Sequence, residues 1–345
     1  MKRIRVLVAE DSATAREALL ALFSRDADIE VIGVANDGGE AVALTKRLRP
    51  DIVTMDIHMP VLDGYEATRR IMAEAPTPIL VVSSSVSAID AQASLNALRA
   101  GALGLCEKPS LGNSPAAAEE QARFLETVRA LSDVKVVRRT RVAPREPRIV
   151  GDRREERAEI IAIAASTGGP AALAQLVAAL PADLTAPVLA VQHNTRGFMP
   201  ALAGWLNSTG NLRVRIATRG DRPEPGVLYL APDDHHLGID GRRHIALDAR
   251  PPIEGFRPSA TFLFESVGRA YGPGALAVIL TGMGSDGVDG LRRLRETGGR
   301  VLAQDEASSV VFGMPRAAIA AGVVDEVVAL ADLPTRICEA AAWSG

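Results

Sequence analysis

The sequence predicts an α/β protein made of two doubly wound, mostly parallel sheets, one in each half of the 345-residue chain. Through roughly the first 130 residues, short apolar runs of strand length alternate with amphipathic segments of helix length. The same alternation resumes at Glu159, and between the two stretches it is lost. A chain of this length corresponds to about two domains of roughly 150 residues each. We therefore expect a first domain at residues 1–131, a linker at 132–157 and a second domain at 158–345.

Five strand–helix units make up the predicted first domain. Its strands are expected near Ile4–Ala9, Ile29–Ala35, Ile52–Met55, Ile79–Val82 and Leu103–Cys106. Its helices are expected near Ala13–Ser24, Gly39–Arg49, Tyr65–Ala73, Ala91–Ala100 and Ala116–Leu131. Because a helix follows each strand, the sheet should be parallel, and the flavodoxin-like strand order 2-1-3-4-5 is the arrangement that we expect.

The segment Lys135–Arg157 is rich in charge and holds nine Lys or Arg residues against four Asp or Glu residues, a net charge of +5. Pro144 and Pro147 would break any helix in it. Such a segment could be a patch that binds nucleic acid. The interspersed acids and the lack of aromatic residues favour a solvated linker instead.

Composition and charge argue against several classes of function. The formal net charge of −3 is too small to indicate nucleic acid or anionic lipid as a bulk partner. The apolar stretch Ile4–Ala9 is too short for the core of a signal peptide, and no run approaches the ~20 apolar residues of a membrane span. Cys106 and Cys338 lie in unrelated contexts, which argues against a disulfide framework or a zinc site. The sequence therefore predicts a cytoplasmic protein without membrane insertion.

Three carboxylates are expected to meet at one edge of the first sheet. Glu10 and Asp11 follow the first predicted strand, and Asp56 follows the third. These two strands are neighbours in the expected order, and their carboxyl ends flank the point where the order reverses. Carboxylates crowded in this way repel one another unless a hard cation lies between them, and Mg²⁺ takes oxygen ligands of this kind. The sequence therefore predicts a Mg²⁺ site.

Ser83 and Lys108 add groups that suit a phosphoryl group. Ser83 follows the fourth predicted strand, and Lys108 follows the fifth, just before Pro109. A lysine is a point charge that binds phosphate, and a carboxylate beside a metal and a lysine can accept a phosphoryl group. Each acid alone is more simply interpreted as a solvated loop carboxylate. The combination at these strand ends favours phosphoryl transfer.

Together these residues resemble the pattern of response-regulator receiver domains, from Arg3 to about Leu131. The resemblance implies that Asp56 accepts the phosphoryl group, that a histidine kinase donates it, and that Mg²⁺ is the cofactor. It also implies Asp11, Asp56 and the backbone carbonyl of His58 as metal ligands, Glu10 as a ligand through water, Ser83 as the switch hydroxyl and Lys108 as the phosphate contact. Leu105 stands where many receivers carry a switching aromatic residue, and Glu10 replaces a commoner Asp.

Three candidate catalytic residues follow three predicted strands of the second domain. Ser166 follows Ile160–Ala165, His193 follows Val188–Gln192, and Asp286 comes shortly after Leu276–Leu280. Ligands of open α/β sheets bind outside the carboxyl ends of the strands, so these loops can meet. A serine is a poor nucleophile until a base removes its proton, and a histidine held by a carboxylate is such a base.

Backbone groups near Ser166 should stabilise a developing oxyanion. Ser166 opens the turn Ser-Thr-Gly-Gly-Pro before a helix predicted at Ala171–Leu180, whose positive dipole end would lie at the site. Thr167 and Met283 are our candidates for the backbone donors. An alternative is a phosphate-binding turn, although the lysine of a P-loop and the spacing of a dinucleotide fingerprint are absent. Asp286 alone could instead cap a helix that starts near Val288.

The order Ser…His…Asp and its flanking sequence resemble the catalytic domain of chemotaxis protein-glutamate methylesterases, from about Glu159 to Leu333. The matching segments are Ile161–Pro170, Val191-Gln192-His193, Leu230-Ala231-Pro232, Arg257-Pro258-Ser259, Ile279–Gly287 and Leu302–Arg316. The resemblance implies hydrolysis of glutamate methyl esters on the cytoplasmic helices of chemoreceptors, with release of methanol and no cofactor, and also deamidation of receptor glutamines. Asn194-Thr195 replaces the usual Met-Pro, and Phe256 stands where a histidine often precedes Arg-Pro-Ser.

A receiver joined to this catalytic domain implies an esterase that is activated by phosphorylation, with the unphosphorylated receiver covering the Ser166 cleft. One alternative is a protein that mainly deamidates receptor glutamines, because esters and amides share the same tetrahedral chemistry. Another is a signalling module that binds receptors without catalysis. Ser166, His193 and Asp286 together argue against the second alternative.

Overall fold

The computed structural model describes residues 3–83, 88–110, 112, 114–134, 157–193 and 196–341, apart from the side chains of residues 88–91 and 116. The chain divides into two compact units, Met1–Ala143 and Pro144–Gly345. The segment predicted as a linker falls mainly on residues 135–156, which lie outside the described residues. Among the helices that are described, none is both long and apolar enough to cross a membrane.

The first unit is a five-stranded parallel sheet in the order β2-β1-β3-β4-β5, as the sequence predicts. Its strands are β1 (Ile4–Ala9), β2 (Ile29–Ala35), β3 (Ile52–Met55), β4 (Ile79–Ser83) and β5 (Gly104–Glu107). Its helices are α1 (Ala13–Ser24), α2 (Gly38–Leu48), α3 (Gly64–Glu74), α4 (Ala88–Ala100) and α5 (Pro115–Ser132).

Short polar side chains set where the first three helices begin. The side chains of Ser12, Asp37 and Asp63 each accept a hydrogen bond from an N–H group in the first turn of α1, α2 and α3. These contacts satisfy N–H groups that have no partner within the helix. The cap at Asp63 also fixes the end of the loop that leaves β3.

The second unit contains a seven-stranded sheet in the order β14-β13-β12-β6-β7-β9-β8, in which all pairs are parallel, and a separate antiparallel pair, β10-β11. Its strands are β6 (Ile160–Ala165), β7 (Val188–Gln192), β8 (Arg213–Ile216), β9 (Val227–Leu230), β10 (His236–Ile239), β11 (Ile245–Asp248), β12 (Ala275–Ile279), β13 (Arg300–Gln304) and β14 (Glu326–Val328). Its α-helices are α6 (Gly169–Ala179), α7 (Met199–Thr209), α8 (Ala260–Tyr271), α9 (Val288–Glu296), α10 (Met314–Ala320) and α11 (Leu333–Ala341).

The strand order of the second unit reverses at β6. On one side of β6 the sheet continues with β7, β9 and β8. The chain then returns, and β12 pairs with the other side of β6. Every residue of β6, β7 and β12 is buried, which explains why their sequences are continuous apolar runs. The loops after these three strands are therefore held at the switch point, where α/β sheets bind ligands.

Two candidate sites at the carboxyl ends of the sheets

The three predicted carboxylates of the first unit converge. One side-chain oxygen from each of Glu10, Asp11 and Asp56 lies within 4.8 Å of the others. Glu10 and Asp56 are buried, whereas Asp11 is exposed. The pairing of β1 with β3 produces this arrangement, because it aligns Ala9 with Met55, the residues just before the acids. The convergence confirms that these strand ends bring the acids together.

Lys108 lies between the two buried carboxylates. Its Nζ is 2.7 Å from Oε2 of Glu10 and 3.2 Å from Oδ2 of Asp56. Burial raises the pKa of Glu10 and the charge of Asp56 raises it further, while the hydrogen bond from Lys108 offsets part of the shift. Burial lowers the pKa of Lys108, but the contacts with Glu10 and Asp56 outweigh burial and raise it. One ammonium is thus shared by two carboxylates that repel each other.

A divalent cation fits this cluster. Three carboxylates converge while Lys108 pairs with only two of them, and the donor atoms are hard oxygens of the kind that Mg²⁺ prefers. The side chain of His58 is exposed, which is compatible with a role for its backbone carbonyl alone. Ser83 is buried at the end of β4, and its carbonyl accepts a hydrogen bond of 2.8 Å from the N–H of Lys108.

Gly64 is a further residue of this site, and it begins α3 directly after the cap residue Asp63. A Cβ on Gly64 would lie 2.0 Å from the carbonyl oxygen of Asp56, so no larger residue fits there. The N–H of Gly64 also donates to the carbonyl of Ile57, 2.9 Å away. The start of α3 therefore packs directly on the backbone that carries Asp56.

In the second unit, strand pairing places Ser166 beside His193. Ala165 pairs with Gln192, and the N–H of His193 donates to the carbonyl of Ala165 at 3.0 Å. On the other side, the N–H of Ser166 donates to the carbonyl of Thr281 at 3.0 Å. Ser166 therefore lies between the loops that follow β7 and β12.

His193 and Asp286 are hydrogen bonded, with 2.9 Å between Nε2 and Oδ2. A carboxylate only accepts, so Nε2 carries the proton of the neutral ring and Nδ1 keeps its lone pair. Nδ1 is buried and has no hydrogen-bond partner in the described part of the chain, so Ser166 and His193 are not hydrogen bonded here. Hydrogen bonds to catalytic bases are often long without substrate. In this protein Nε2 of His193 faces the aspartate, whereas in chymotrypsin-like proteases Nδ1 of the histidine does.

Asp286 also caps a helix, although not the helix that the sequence suggested. Its Oδ1 accepts from the hydroxyl of Ser259 at 2.8 Å and from the N–H of Thr261 at 3.1 Å, and its Oδ2 accepts from the N–H of Ala260 at 2.7 Å. These groups form the N-terminus of α8. Helix α9, which starts at Val288 as expected, has Gly287 at its N-cap and no side-chain cap. The suggested alternative, Asp286 as the cap of α9, is therefore wrong.

The contacts of Asp286 keep it ionised. Burial alone would raise the pKa of Asp286, but the hydrogen bonds from His193, Ala260 and Ser259 outweigh burial and hold the pKa below its usual range. The dipole of α8 favours the negative charge as well. The carboxylate is therefore fully charged at neutral pH and fixes His193 in one orientation.

Three further polar residues support the site, two at the turn after Ser166 and one at Asp286, and none of them was assigned a role from the sequence. Gln192 donates from Nε2 to the carbonyls of Ser166 at 2.9 Å and His193 at 2.8 Å. Thr281 donates its hydroxyl to the carbonyl of Thr167 at 2.9 Å, and Ser259 binds Asp286. All three lie within the matching segments given in the sequence analysis, and that position was the signal that could have identified them.

The turn after Ser166 depends on two glycines. Gly168 has φ +80°, a conformation that strains other residues. A Cβ on Gly169 would lie 1.9 Å from Oε1 of Gln192. Within the described part of the chain, the N–H groups of Thr167 and Met283 donate to no other residue. The predicted oxyanion donors are therefore available to a ligand.

Comparison with known proteins decides the family. The model for CheB methylesterase matches residues 161–337, and the model for the response regulator receiver domain matches residues 6–114. The chain belongs to the CheB methylesterase family. It is 51% identical to protein-glutamate methylesterase/protein-glutamine glutaminase 4 of Myxococcus xanthus (strain DK1622), over 99% of this chain and 98% of that protein.

Two other CheB-type proteins extend the comparison. Protein-glutamate methylesterase/protein-glutamine glutaminase 3 of Anaeromyxobacter dehalogenans (strain 2CP-C) is 51% identical, over 94% of this chain and 96% of that protein. The crystal structure of the Thermotoga maritima CheB methylesterase catalytic domain is 38% identical with a TM-score of 0.51, and the match covers 53% of this chain and 98% of that one. The α/β fold expected for the second half is thereby confirmed.

This CheB family member carries an aromatic ring beside its candidate base. The ring of Phe256 stacks on the imidazole of His193, with centroids 4.1 Å apart and planes 12° apart. His236, by contrast, is fully buried, and its Nε2 and Nδ1 contact the carbonyl of Pro251 and the N–H of Ser259, both at 3.2 Å. His236 therefore supports the segment around Ser259. Asn194-Thr195 lies outside the described residues.

Proposed function

We propose that this protein hydrolyses methyl esters of glutamate side chains on the cytoplasmic helices of chemoreceptors, and that it also deamidates receptor glutamines. The relatives from Myxococcus and Anaeromyxobacter carry both activities in their names. The single observation that carries the proposal is the ionised Asp286 bound to His193 next to Ser166 at the switch point of the sheet.

The proposed reaction uses Ser166, His193 and Asp286 as nucleophile, base and orienting carboxylate. Oγ of Ser166 attacks the ester carbonyl while Nδ1 of His193 takes its proton, and Nε2–H remains on Asp286. The imidazolium then returns the proton to the leaving methoxide, which departs as methanol. Water attacks the acyl-enzyme with the same base, and glutamate and Ser166 are released.

The negative charge of the tetrahedral intermediate is stabilised by backbone groups. The N–H groups of Thr167 and Met283 are the proposed donors, and the N-terminus of α6, which has no side-chain cap, adds its dipole. An amide passes through the same intermediate, with ammonia as the leaving group. Because side chains, backbone groups and water supply every step, we propose that ester hydrolysis takes place without a cofactor.

The first unit regulates this activity as a receiver domain, and we propose that Asp56 accepts a phosphoryl group from a histidine kinase. Asp11, Asp56 and the carbonyl of His58 would hold Mg²⁺, with Glu10 acting through water. The cation would neutralise negative charge that builds up on the transferred group. Lys108 contacts the phosphoryl group, and Ser83 supplies the switch hydroxyl.

The proposed organisation follows the same division. The receiver occupies residues 1–131, the linker 132–157 and the esterase 158–345. The substrate is a receptor on the cytoplasmic side, so we place the protein in the cytoplasm, with no nucleic-acid partner and no insertion into the membrane.

The test is product release from a purified, methylated chemoreceptor fragment. The full-length protein, with a small phosphodonor and Mg²⁺, should release methanol from methyl esters and ammonia from a fragment that carries glutamine at the same positions. Ammonia without methanol would identify the protein as mainly a deamidase. Binding of the fragment without either product would identify a non-catalytic signalling module and contradict the proposal.

A further inference from the structure

Phe256 covers one face of the candidate base. Its ring and the imidazole of His193 are nearly parallel, with centroids 4.1 Å apart and planes 12° apart. Phe256 is half-buried, and only 7% of the His193 side chain is exposed. The imidazole is thus held between a hydrogen bond at its edge, to Asp286, and an aromatic ring on its face.

A tight turn holds Phe256 in this place. Ile253 and Phe256 exchange two backbone hydrogen bonds of 3.0 and 2.9 Å. Glu254 and Gly255 between them have φ values of +50° and +83°, the pattern of a two-residue hairpin turn. Three residues after Phe256, the hydroxyl of Ser259 binds Asp286 at 2.8 Å. One short segment therefore contacts both the base and its orienting carboxylate.

We propose that Phe256 is a positioning residue that fixes the ring plane of His193 and stabilises the imidazolium formed during the reaction. The proposal rests on the proposed function of His193 as the base. The stack prevents the imidazole from tilting out of its plane. The hydrogen bond from Nε2 to Asp286 fixes the rotation of the ring within that plane, so Nδ1 remains available to Ser166. The face of a phenyl ring is electronegative and attracts a cation that lies over it.

An aromatic hydrocarbon also keeps Nδ1 of His193 available. A side chain that brings a donor close to the imidazole from position 256 could donate to Nδ1, which has no hydrogen-bond partner among the described residues. A phenyl ring offers no donor or acceptor. The lone pair that takes the serine proton is thereby left available for catalysis.

The kinetic test replaces Phe256 and measures methanol release by the full-length protein. Phe256→Leu should lower kcat about tenfold and change KM less than about twofold, because the proposed role of the ring is exerted through the base. Phe256→Tyr keeps the ring and adds a hydroxyl only at its edge, away from the stacked face, so this variant should retain at least half of the activity. If Phe256→Leu melts at a lower temperature than the assay allows, Phe256→Met is measured instead, with the same expectation. A change in KM alone, or no change, overturns the proposal.

The second readout is the ¹⁵N spectrum of the histidines at pH 8, which reports the tautomer without any substrate. The His193 signals, identified by their loss in His193→Gln, should show a proton on Nε2 in the wild type and a mixture of tautomers in Phe256→Leu. Phe262→Leu is the matched control, because Phe262 stacks on His236 with centroids 5.2 Å apart. It should shift the His236 signals and leave those of His193 unchanged.

The two readouts separate this inference from the function on which it rests. If the wild type releases neither methanol nor ammonia, the proposed function fails while the spectra still test the stack. If the wild type is active and the His193 spectrum of Phe256→Leu equals that of the wild type, the proposed function stands and the role of Phe256 is overturned.

Discussion

The two sites lie at equivalent places in two parallel sheets, yet they balance charge in opposite ways. In the first unit, Glu10, Asp11 and Asp56 converge, Lys108 pairs with Glu10 and Asp56, and the excess negative charge suits an added cation. In the second unit, a single buried carboxylate, Asp286, is surrounded by donors from α8 and His193. The carboxylates of the first site carry more negative charge than Lys108 balances, whereas groups within the second unit stabilise the charge of Asp286. A regulated switch and a catalyst can thus be built on the same sheet topology.

The largest expected effect is the loss of methanol release when Ser166 is replaced. Such a loss would show that Ser166 is the nucleophile of the second site. Ser166→Ala should lower kcat for methanol release by about 10⁴-fold or more, because the acyl-enzyme cannot form without the serine hydroxyl. The variant should fold normally, since only a hydroxyl is removed. Ser208→Ala, an exposed serine on α7, is the control and should leave the rate unchanged. Unchanged methanol release by a folded Ser166→Ala protein would contradict the proposed catalytic triad.

Asp286→Asn should lower kcat by about 10⁴-fold, the size of the same change in serine proteases, because an amide neither fixes the tautomer nor stabilises imidazolium. Asp56→Asn, the corresponding carboxylate of the first site, should leave the unphosphorylated rate unchanged. A loss of less than about tenfold in Asp286→Asn would leave Asp286 with only its helix-capping role, in which Asn is an acceptable substitute.

The low pKa of Asp286 predicts how acid affects the second unit. Its folded-state pKa lies below the unfolded value of about 3.9, so its charge stabilises the fold above that pH. This contribution is lost as pH falls through the folded-state pKa. Urea unfolding between pH 3 and pH 6 should show a steeper loss of stability in the wild type than in Asp286→Asn. Equal slopes would mean that the carboxylate is not stabilised by folding.

Phosphorylation should have a more moderate effect, because it connects the two sites through a coupling free energy. A small phosphodonor with Mg²⁺ should raise methanol release about tenfold in the wild type and not in Asp56→Asn. A fragment that begins at Ala158 should also be more active than the unphosphorylated full chain. If that fragment is slower, the receiver does not simply inhibit, and it must assist the reaction in another way.

The smallest expected effect concerns backbone strain beside the first site. Glycines take the positive φ values in the turns after Ser166 and Asp286, but in the loop after β3 that conformation falls on Val61, at φ +65°. Val61 is 91% exposed, so its side chain gains little from burial. Val61→Gly should therefore raise the free energy of unfolding by up to about 1 kcal/mol, measured by urea titration. A decrease would show that other contacts of Val61 outweigh the strain.

Local pattern predicted most of the fold. The strands β1, β2, β3, β6 and β7 begin and end where the apolar runs do, because each is a mainly apolar run bounded by polar or turn residues. The strands β4, β5 and β12 and several helix ends differ from the prediction by one to three residues, since capping and fraying decide ends that periodicity does not. The parallel topology followed from the alternation of strands and helices.

Long-range packing decided what the sequence could not show. Ser166, His193 and Asp286 were predicted from strand ends, but the helix that Asp286 caps starts 26 residues before it in the chain. A capping rule looks only at the residues that follow, so it selected α9. The stack of Phe256 on His193 joins residues 63 positions apart, and no local pattern predicts such a contact. The roles of Gln192 and Thr281 likewise depend on which loops meet.

The double use of Asp286 has a consequence for how this domain can evolve. In a gene copy that is no longer selected for activity, a residue that only orients a base can be substituted without loss of protein stability. Asp286 begins α8 as well, so most substitutions at this position would produce a chain that is both inactive and less stable. Cells remove unstable chains through proteases. Inactive copies with this lesion would therefore accumulate poorly and compete little with functional copies for the receptor.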